Sequence, residues 1–202
     1  MTLDKYRSLA DRILNPFVTL AAKLGLTPNG VSVLAIIVAA GAAGAFALGG
    51  DQPVFYGVGA LLVFVNGGLD LIDGALARRL ELASSAGDLL DHVLDRYADI
   101  VILVGLAAGI GRYDIGLAAV TGVLMTSYLG TQAQAVGLDR VYGGLLGRAD
   151  RLVLISVVGA IAVIVTGPIY GFTVVGWLLI VFAAVGHLTA LQRFYYAMGD
   201  LR

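Results

Sequence analysis

Residues 70–95 read DLIDGALARRLELASSAGDLLDHVLD, and four aspartates stand in this stretch as two spaced pairs, Asp70/Asp73 and Asp91/Asp95. Residues three or four apart share one face of a helix, so each pair projects together. An ionised carboxylate in a membrane costs several kcal/mol unless it is paired, hydrated or coordinated, which makes it a functional-site hypothesis by default. Two such faces turned toward each other would supply about eight oxygens, enough for two hard divalent cations.

The surrounding chain is built for lipid. Its 202 residues are 59% hydrophobic and 13% charged, against about 25% charged in an average soluble domain. The mean hydropathy is +0.91. The composition predicts an all-α, polytopic membrane protein, with a length suited to one bundle rather than two domains. Cysteine is absent, so neither a disulfide framework nor thiolate chemistry is available. A net charge of -1 with no basic patch gives no indication of nucleic-acid binding.

Apolar runs near residues 31–50, 53–76, 88–110, 115–136, 152–168 and 171–192 each approach the ~20 residues needed to span hydrocarbon. Lys5, Arg7, Arg12, Lys23, Arg78, Arg79, Arg96, Arg140, Arg148, Arg151, Arg193 and Arg202 all fall on one side of this six-span layout, and Arg112 on the other. The positive-inside rule then places both termini and the aspartate stretch on the cytoplasmic side. The first thirty residues do not read as a signal peptide, because charges recur through Lys23. Leu3, Tyr6, Leu9, Ile13, Phe17 and Leu20 instead recur at helical spacing, as an amphipathic helix over residues 1–27 would. Such a helix could lie in the interface or pack on the cytoplasmic face of the bundle. Leu26-Thr27-Pro28-Asn29 breaks it, and the next helix starts with Asn29 or Ser32 near its cap. The short loop Glu81–Gly87 makes the second and third spans antiparallel neighbours, bringing Asp70/Asp73 opposite Asp91/Asp95.

Oxygen ligands alone point to Mg²⁺, Mn²⁺ or Ca²⁺ rather than zinc. Two such ions are the usual apparatus for in-line displacement at phosphorus. A carboxylate at the edge of the cluster can take the proton of an attacking hydroxyl. Arg78 is close enough in sequence to clamp a phosphate oxygen. Gly74 and Gly87 would let a planar base or a diphosphate approach the backbone.

The order D-x-x-D-G-x-x-A-R-x8-G-x3-D-x3-D, present as Asp70, Asp73, Gly74, Ala77, Arg78, Gly87, Asp91 and Asp95, resembles the signature of the CDP-alcohol phosphotransferase family. The resemblance implies a single domain over residues 1–202, with the six-helix bundle in 28–202, and a homodimer. It implies Asp70, Asp73 and Asp91 as metal ligands, with Asp95 as both a ligand of a second ion and the general base. The ions would be Mg²⁺ or Mn²⁺, two per site. Gly74, Arg78, Ser84 and Gly87 would contact the CDP moiety of a CDP-lipid, and Pro28 and Asn29 would close over the nucleotide. Attack by an alcohol on the lipid-linked phosphate would release CMP.

The stretches Gly147-Arg148-Ala149-Asp150-Arg151-Leu152 and Leu191-Gln192-Arg193 resemble the branch that makes phosphatidylinositol phosphate and archaetidylinositol phosphate. That implies Arg148, Arg151 and Arg193 as donors to the phosphate of inositol 1-phosphate. Glycerol 3-phosphate or serine as the acceptor is the alternative within the family, and a divalent-cation transporter is the remote one. Transporters show repeated halves with binding at the midplane, whereas these acids lie at one edge. The remaining polar residues take plainer readings: a solvated or capping role for Asp88 and Asp99, in preference to supporting the motif acids one turn away, a structural one for His92 and His187, and membrane anchoring for Arg79 and Arg96. Trp177, Tyr195 and Tyr196 belong to an aromatic belt.

Overall fold

The computed structural model describes residues 7–139 and 146–201, with side chains from Leu14 onward. Residues 1–6 of the expected amphipathic segment, Arg140 and Arg202 lie outside the described residues, as do the side chains of Arg7, Leu9, Arg12 and Ile13. Seven helices are present among the described residues: α1 Arg7–Lys23, α2 Pro28–Leu48, α3 Val54–Arg79, α4 Ser85–Gly109, α5 Tyr113–Ala135, α6 Arg148–Ala162 and α7 Val174–Asp200. The architecture is all-helical; Ile169 and Phe172 form an isolated bridge in the α6–α7 connection. By length and composition α2, α3 and α7 can each cross a membrane.

Helix ends follow local chemistry. Thr27, rather than Asn29 or Ser32, caps α2: its hydroxyl accepts from Gly30 N at 3.1 Å, with Pro28 in the first turn. Ser84 caps α4 in the same way through Gly87 N. At the end of α3, Glu81 takes φ +56°, and Leu82 N reaches back to Ala77 O at 3.0 Å. This is the left-handed stop that glycine usually supplies. The fifth apolar run was expected to continue to residue 168, but α6 ends at Ala162. The chain turns before Gly167-Pro168, leaving a helix of 15 residues, about 22 Å long.

Helices α2 to α7 close into a ring in the order α2, α3, α6, α7, α5, α4. The expected direct packing of α3 on α4 is replaced by a different arrangement. α2 packs along both helices and stands between them, while α3 and α4 make at most marginal contact. Small residues permit this. Ala39 and Ala42 are fully buried, and a Cβ on Gly105 of α4 would run into the backbone of Ala43. Between membrane helices such close approach supplies the van der Waals attraction that lipid-facing apolar side chains do not. A Cβ on Gly59 would meet the Phe46 ring, and one on Gly186 of α7 would lie 2.7 Å from the Gly122 backbone of α5. Phe46, Val63, Ile102, Leu106, Leu179 and Phe182 fill the ring's interior.

Helix α1 packs on the bundle. Val18 and Ala21 bury against Val31 and Leu76 on the bundle, whereas Phe17, Leu20 and Leu24 stay exposed. Arg79 ties the two helices together by donating to Thr19 Oγ1 at 2.6 Å and to Asn15 Oδ1 at 3.4 Å.

Candidate active site

The gap between α3 and α4 is where the acids meet. Asp70 projects from α3 and Asp91 and Asp95 from successive turns of α4. One carboxylate oxygen from each lies within 4.8 Å of the others. Asp73 turns toward α2, where it is buried and accepts from Ser32 Oγ at 2.7 Å. All four acids line one cavity of about 10 Å³, together with Ser32, Asn66 and Arg148.

Asn66 is 1% exposed and donates Nδ2 to Ala35 O at 2.9 Å, while its Oδ1 is buried without a hydrogen-bond partner. Converging carboxylates and an orphaned amide oxygen form an all-oxygen donor set, which fits a hard divalent cation. Mutual repulsion among the carboxylates makes the cluster unfavourable unless positive charge enters it.

Part of that charge is the protein's own. Arg148 is the first residue of α6, and its guanidinium crosses to Asp70 Oδ2 (2.7 Å from Nη1) and Asp95 Oδ1 (2.8 Å from Nη2). Its Nε is buried without a hydrogen-bond partner and lies 3.6 Å from Asp99 Oδ1. Asp150, one turn into α6, accepts from Gly147 N at 2.9 Å and fixes the start of this helix.

The three arginines expected at an acceptor phosphate have different partners in the structure. Arg148 lies in the aspartate cavity. Arg151 is buried and donates to Asp99 Oδ2 at 3.0 Å, between two further cavities of about 10 Å³ each. Arg193 is buried on α7 and donates to Thr126 O at 2.6 Å.

The residues expected at the nucleotide gather at the ends of α2, α3 and α4. A Cβ on Gly87 would sit 3.4 Å from Asn29 Oδ1 and 3.3 Å from Ser84 Oγ, so the starts of α2 and α4 adjoin there. Pro28 opens α2 beside them. On α3, Arg78 folds back along its own helix, its Nη1 3.5 Å from where a Gly74 Cβ would be.

Asp99 corrects a sequence expectation. A solvated or capping role was expected for both Asp88 and Asp99. Asp88 is exposed and pairs with His92 at 3.4 Å. Asp99 is buried and faces Arg96, Arg148 and Arg151. Arg96, expected as an anchor, lies 3.6 Å from both Asp95 and Asp99 and donates to Ser127. Spacing held the signal, since Asp91, Asp95 and Asp99 repeat every four residues along α4. Ser32 and Asn66 carried no comparable signal, because their partners are distant in sequence.

Residues 25–188 match the model of the CDP-alcohol phosphatidyltransferase family. Archaetidylinositol phosphate synthase from Methanothermobacter thermautotrophicus is 30% identical to this chain, covering 99% of it and 96% of the relative. Phosphatidylinositol phosphate synthase from Streptomyces avermitilis is 33% identical over 95% of this chain and 80% of its own length. Among solved structures, phosphatidylinositol phosphate synthase from Mycobacterium tuberculosis with CDP-DAG bound superposes with a TM-score of 0.76 at 24% identity, covering 92% of this chain and 94% of that one. The same enzyme in complex with manganese and citrate gives a TM-score of 0.78 at 24% identity, over 91% of this chain and 88% of that one.

Proposed function

The chain belongs to the CDP-alcohol phosphatidyltransferase family, and from that premise we propose that it transfers the lipid phosphate of a CDP-lipid to a hydroxyl of inositol 1-phosphate, releasing CMP. It is a membrane-bound transferase. The observation that carries the reaction is the convergence of Asp70, Asp91 and Asp95 at one cavity, within a motif matched at every position. The names of its relatives support the acceptor.

In this reading Asp70, Asp73, Asp91 and Asp95 hold two Mg²⁺ or Mn²⁺ ions. When bound, the ions neutralise the diphosphate and stabilise the departing CMP. Ser32 keeps Asp73 oriented from behind. Asp95 takes the proton of the attacking hydroxyl as the new O–P bond forms and the P–O bond to CMP breaks. Gly74 and Gly87 leave room for the nucleotide beside Arg78 and Ser84, with Pro28 and Asn29 closing over it. Arg148, Arg151 and Arg193 supply donors for the acceptor's phosphate.

The single domain would span residues 1–202, with α2 to α7 as six spans and α1 at the interface. Both termini and the site would lie on the cytoplasmic side of the cell membrane. This is supported by the ring of six helices and by the lone Arg112 at the opposite end. Homodimers complete the reading.

The test is purified protein in mixed micelles with CDP-diacylglycerol or CDP-archaeol, Mg²⁺ or Mn²⁺, and inositol 1-phosphate. CMP release and a lipid product carrying inositol phosphate by mass spectrometry are expected. Glycerol 3-phosphate or serine outcompeting inositol 1-phosphate would overturn the acceptor. Ion flux into liposomes with no CMP released would overturn the chemistry itself.

A further inference from the structure

Asp99 is 6% exposed, on the interior face of a helix that runs on into Ile102, Leu103 and Leu106. A buried carboxylate is retained only where positive charge is brought to it, and here three guanidinium groups from two helices are. Arg151 Nη2 donates at 3.0 Å, while Arg148 Nε and Arg96 Nη1 lie at 3.6 Å. Arg148 is shared: both Nη atoms go to Asp70 and Asp95, and only Nε is turned to Asp99, buried and short of a hydrogen bond. Asp99 is absent from the converging set of Asp70, Asp91 and Asp95. A cation drawn to that set competes with the two Nη contacts of Arg148 but leaves the Nε side alone.

We propose that Asp99 is a positioning residue for acceptor recognition, holding Arg151 by Nη2 and Arg148 by Nε so that their remaining donors face the acceptor's phosphate. This rests on the assignment of Arg148 and Arg151 to that phosphate in the proposed function. With Asp70 and Asp95 engaged elsewhere, Asp99 is the counter-charge that keeps Arg148 at the mouth of α6. With its Nε facing Asp99 at 3.6 Å, the Arg148 guanidinium presents its two Nη groups away from Asp99 as a fork, the geometry that suits a phosphate. Arg96 completes the charge balance around Asp99 and is itself held by Ser127.

Asp99→Asn keeps the shape and removes the charge. The expected result is a KM for inositol 1-phosphate raised about tenfold or more, as when an outer partner of a binding group is lost. The KM for the CDP-lipid and the Mn²⁺ affinity measured by electron paramagnetic resonance should stay within about twofold. Asp99→Glu should recover part of the acceptor affinity. A fall in kcat with both KM values unchanged marks a structural ion pair and overturns the proposal.

Where Asp99→Asn does not fold, Arg151→Gln is compared with the Asp99→Asn/Arg151→Gln double variant, which removes both charges. The double variant should show a further rise in the acceptor KM over Arg151→Gln, because Arg148 loses its partner as well, with the CDP-lipid KM unchanged; equal acceptor KM values in the two variants overturn the proposal. Wild-type protein that releases no CMP with inositol 1-phosphate overturns the acceptor assignment and this inference with it. Wild-type transfer with an unaltered acceptor KM in Asp99→Asn overturns this inference alone.

Discussion

Arg148 Nη1 and Asp70 Oδ2 meet at 2.7 Å, joining the first residue of α6 to the first aspartate of the α3 motif. The same guanidinium reaches Asp95 at 2.8 Å, so one side chain neutralises two of the three converging carboxylates. Arg148 therefore competes with any divalent cation for those oxygens. Arg148→Gln should tighten Mn²⁺ binding, read by electron paramagnetic resonance or calorimetry, by about tenfold, since one unit charge acts there at contact distance. Transfer to inositol 1-phosphate should fall in the same variant. Weaker Mn²⁺ binding would show that Arg148 organises the carboxylates instead of competing for them.

Asp95 has the double assignment of ligand and base. Asp95→Asn keeps the side chain's size and removes its basicity, so CMP release should fall by about 10²-fold or more. CDP-lipid binding, measured by equilibrium binding in detergent, should persist. An unchanged rate removes Asp95 from the chemistry.

Ser32 reaches Asp73 from 41 residues away, through a 2.7 Å bond buried under the site. Ser32→Ala leaves that carboxylate short of a partner, at about 1–3 kcal/mol of stability. Metal affinity should weaken about tenfold, as outer partners of ligating carboxylates generally show. A variant with wild-type melting and metal titration would mean that Asp73 does not depend on Ser32.

Gly105 tests the packing that creates the gap. A side chain there collides with the Ala43 backbone, which cannot swing aside as a flexible side chain would. Gly105→Val should force α2 and α4 apart and give aggregated material on size-exclusion chromatography. Gly44, with open space around it, should accept Ala with little change in elution or melting.

Glu81 holds a left-handed conformation that costs a non-glycine residue about 1–2 kcal/mol. Glu81→Gly should raise the melting temperature by a few degrees without altering metal affinity. A lower melting temperature would show that the Glu81 side chain contributes more than its backbone strain removes.

Local spacing made the aspartates legible. Asp70, Asp91 and Asp95 lie on predictable helix faces, and the structure brings them together. Helices were legible for the same reason, although α6 stops at Ala162 because apolar composition continues past the point where Gly167-Pro168 prevents helix. The wedge of α2 between α3 and α4 was hidden, since a short connecting loop favours neighbours and only tertiary fit reveals Ala43 against Gly105. Arg148, Arg151 and Arg193 came from the resemblance of two short stretches to the inositol-phosphate branch. Their partners Asp70, Asp99 and the Thr126 carbonyl come from other helices, beyond the reach of spacing.

Asp70 stands sixteen residues from the start of α3, about 24 Å along its axis. Were α3 to cross a hydrocarbon layer of ~30 Å from its first residue, as proposed, the carboxylates would sit where acyl chains give way to headgroups. A lipid donor arriving sideways within its own leaflet already carries its phosphorus at that depth. Turnover would then require no extraction of the donor from the bilayer, only lateral diffusion on one side and a soluble acceptor entering from the other.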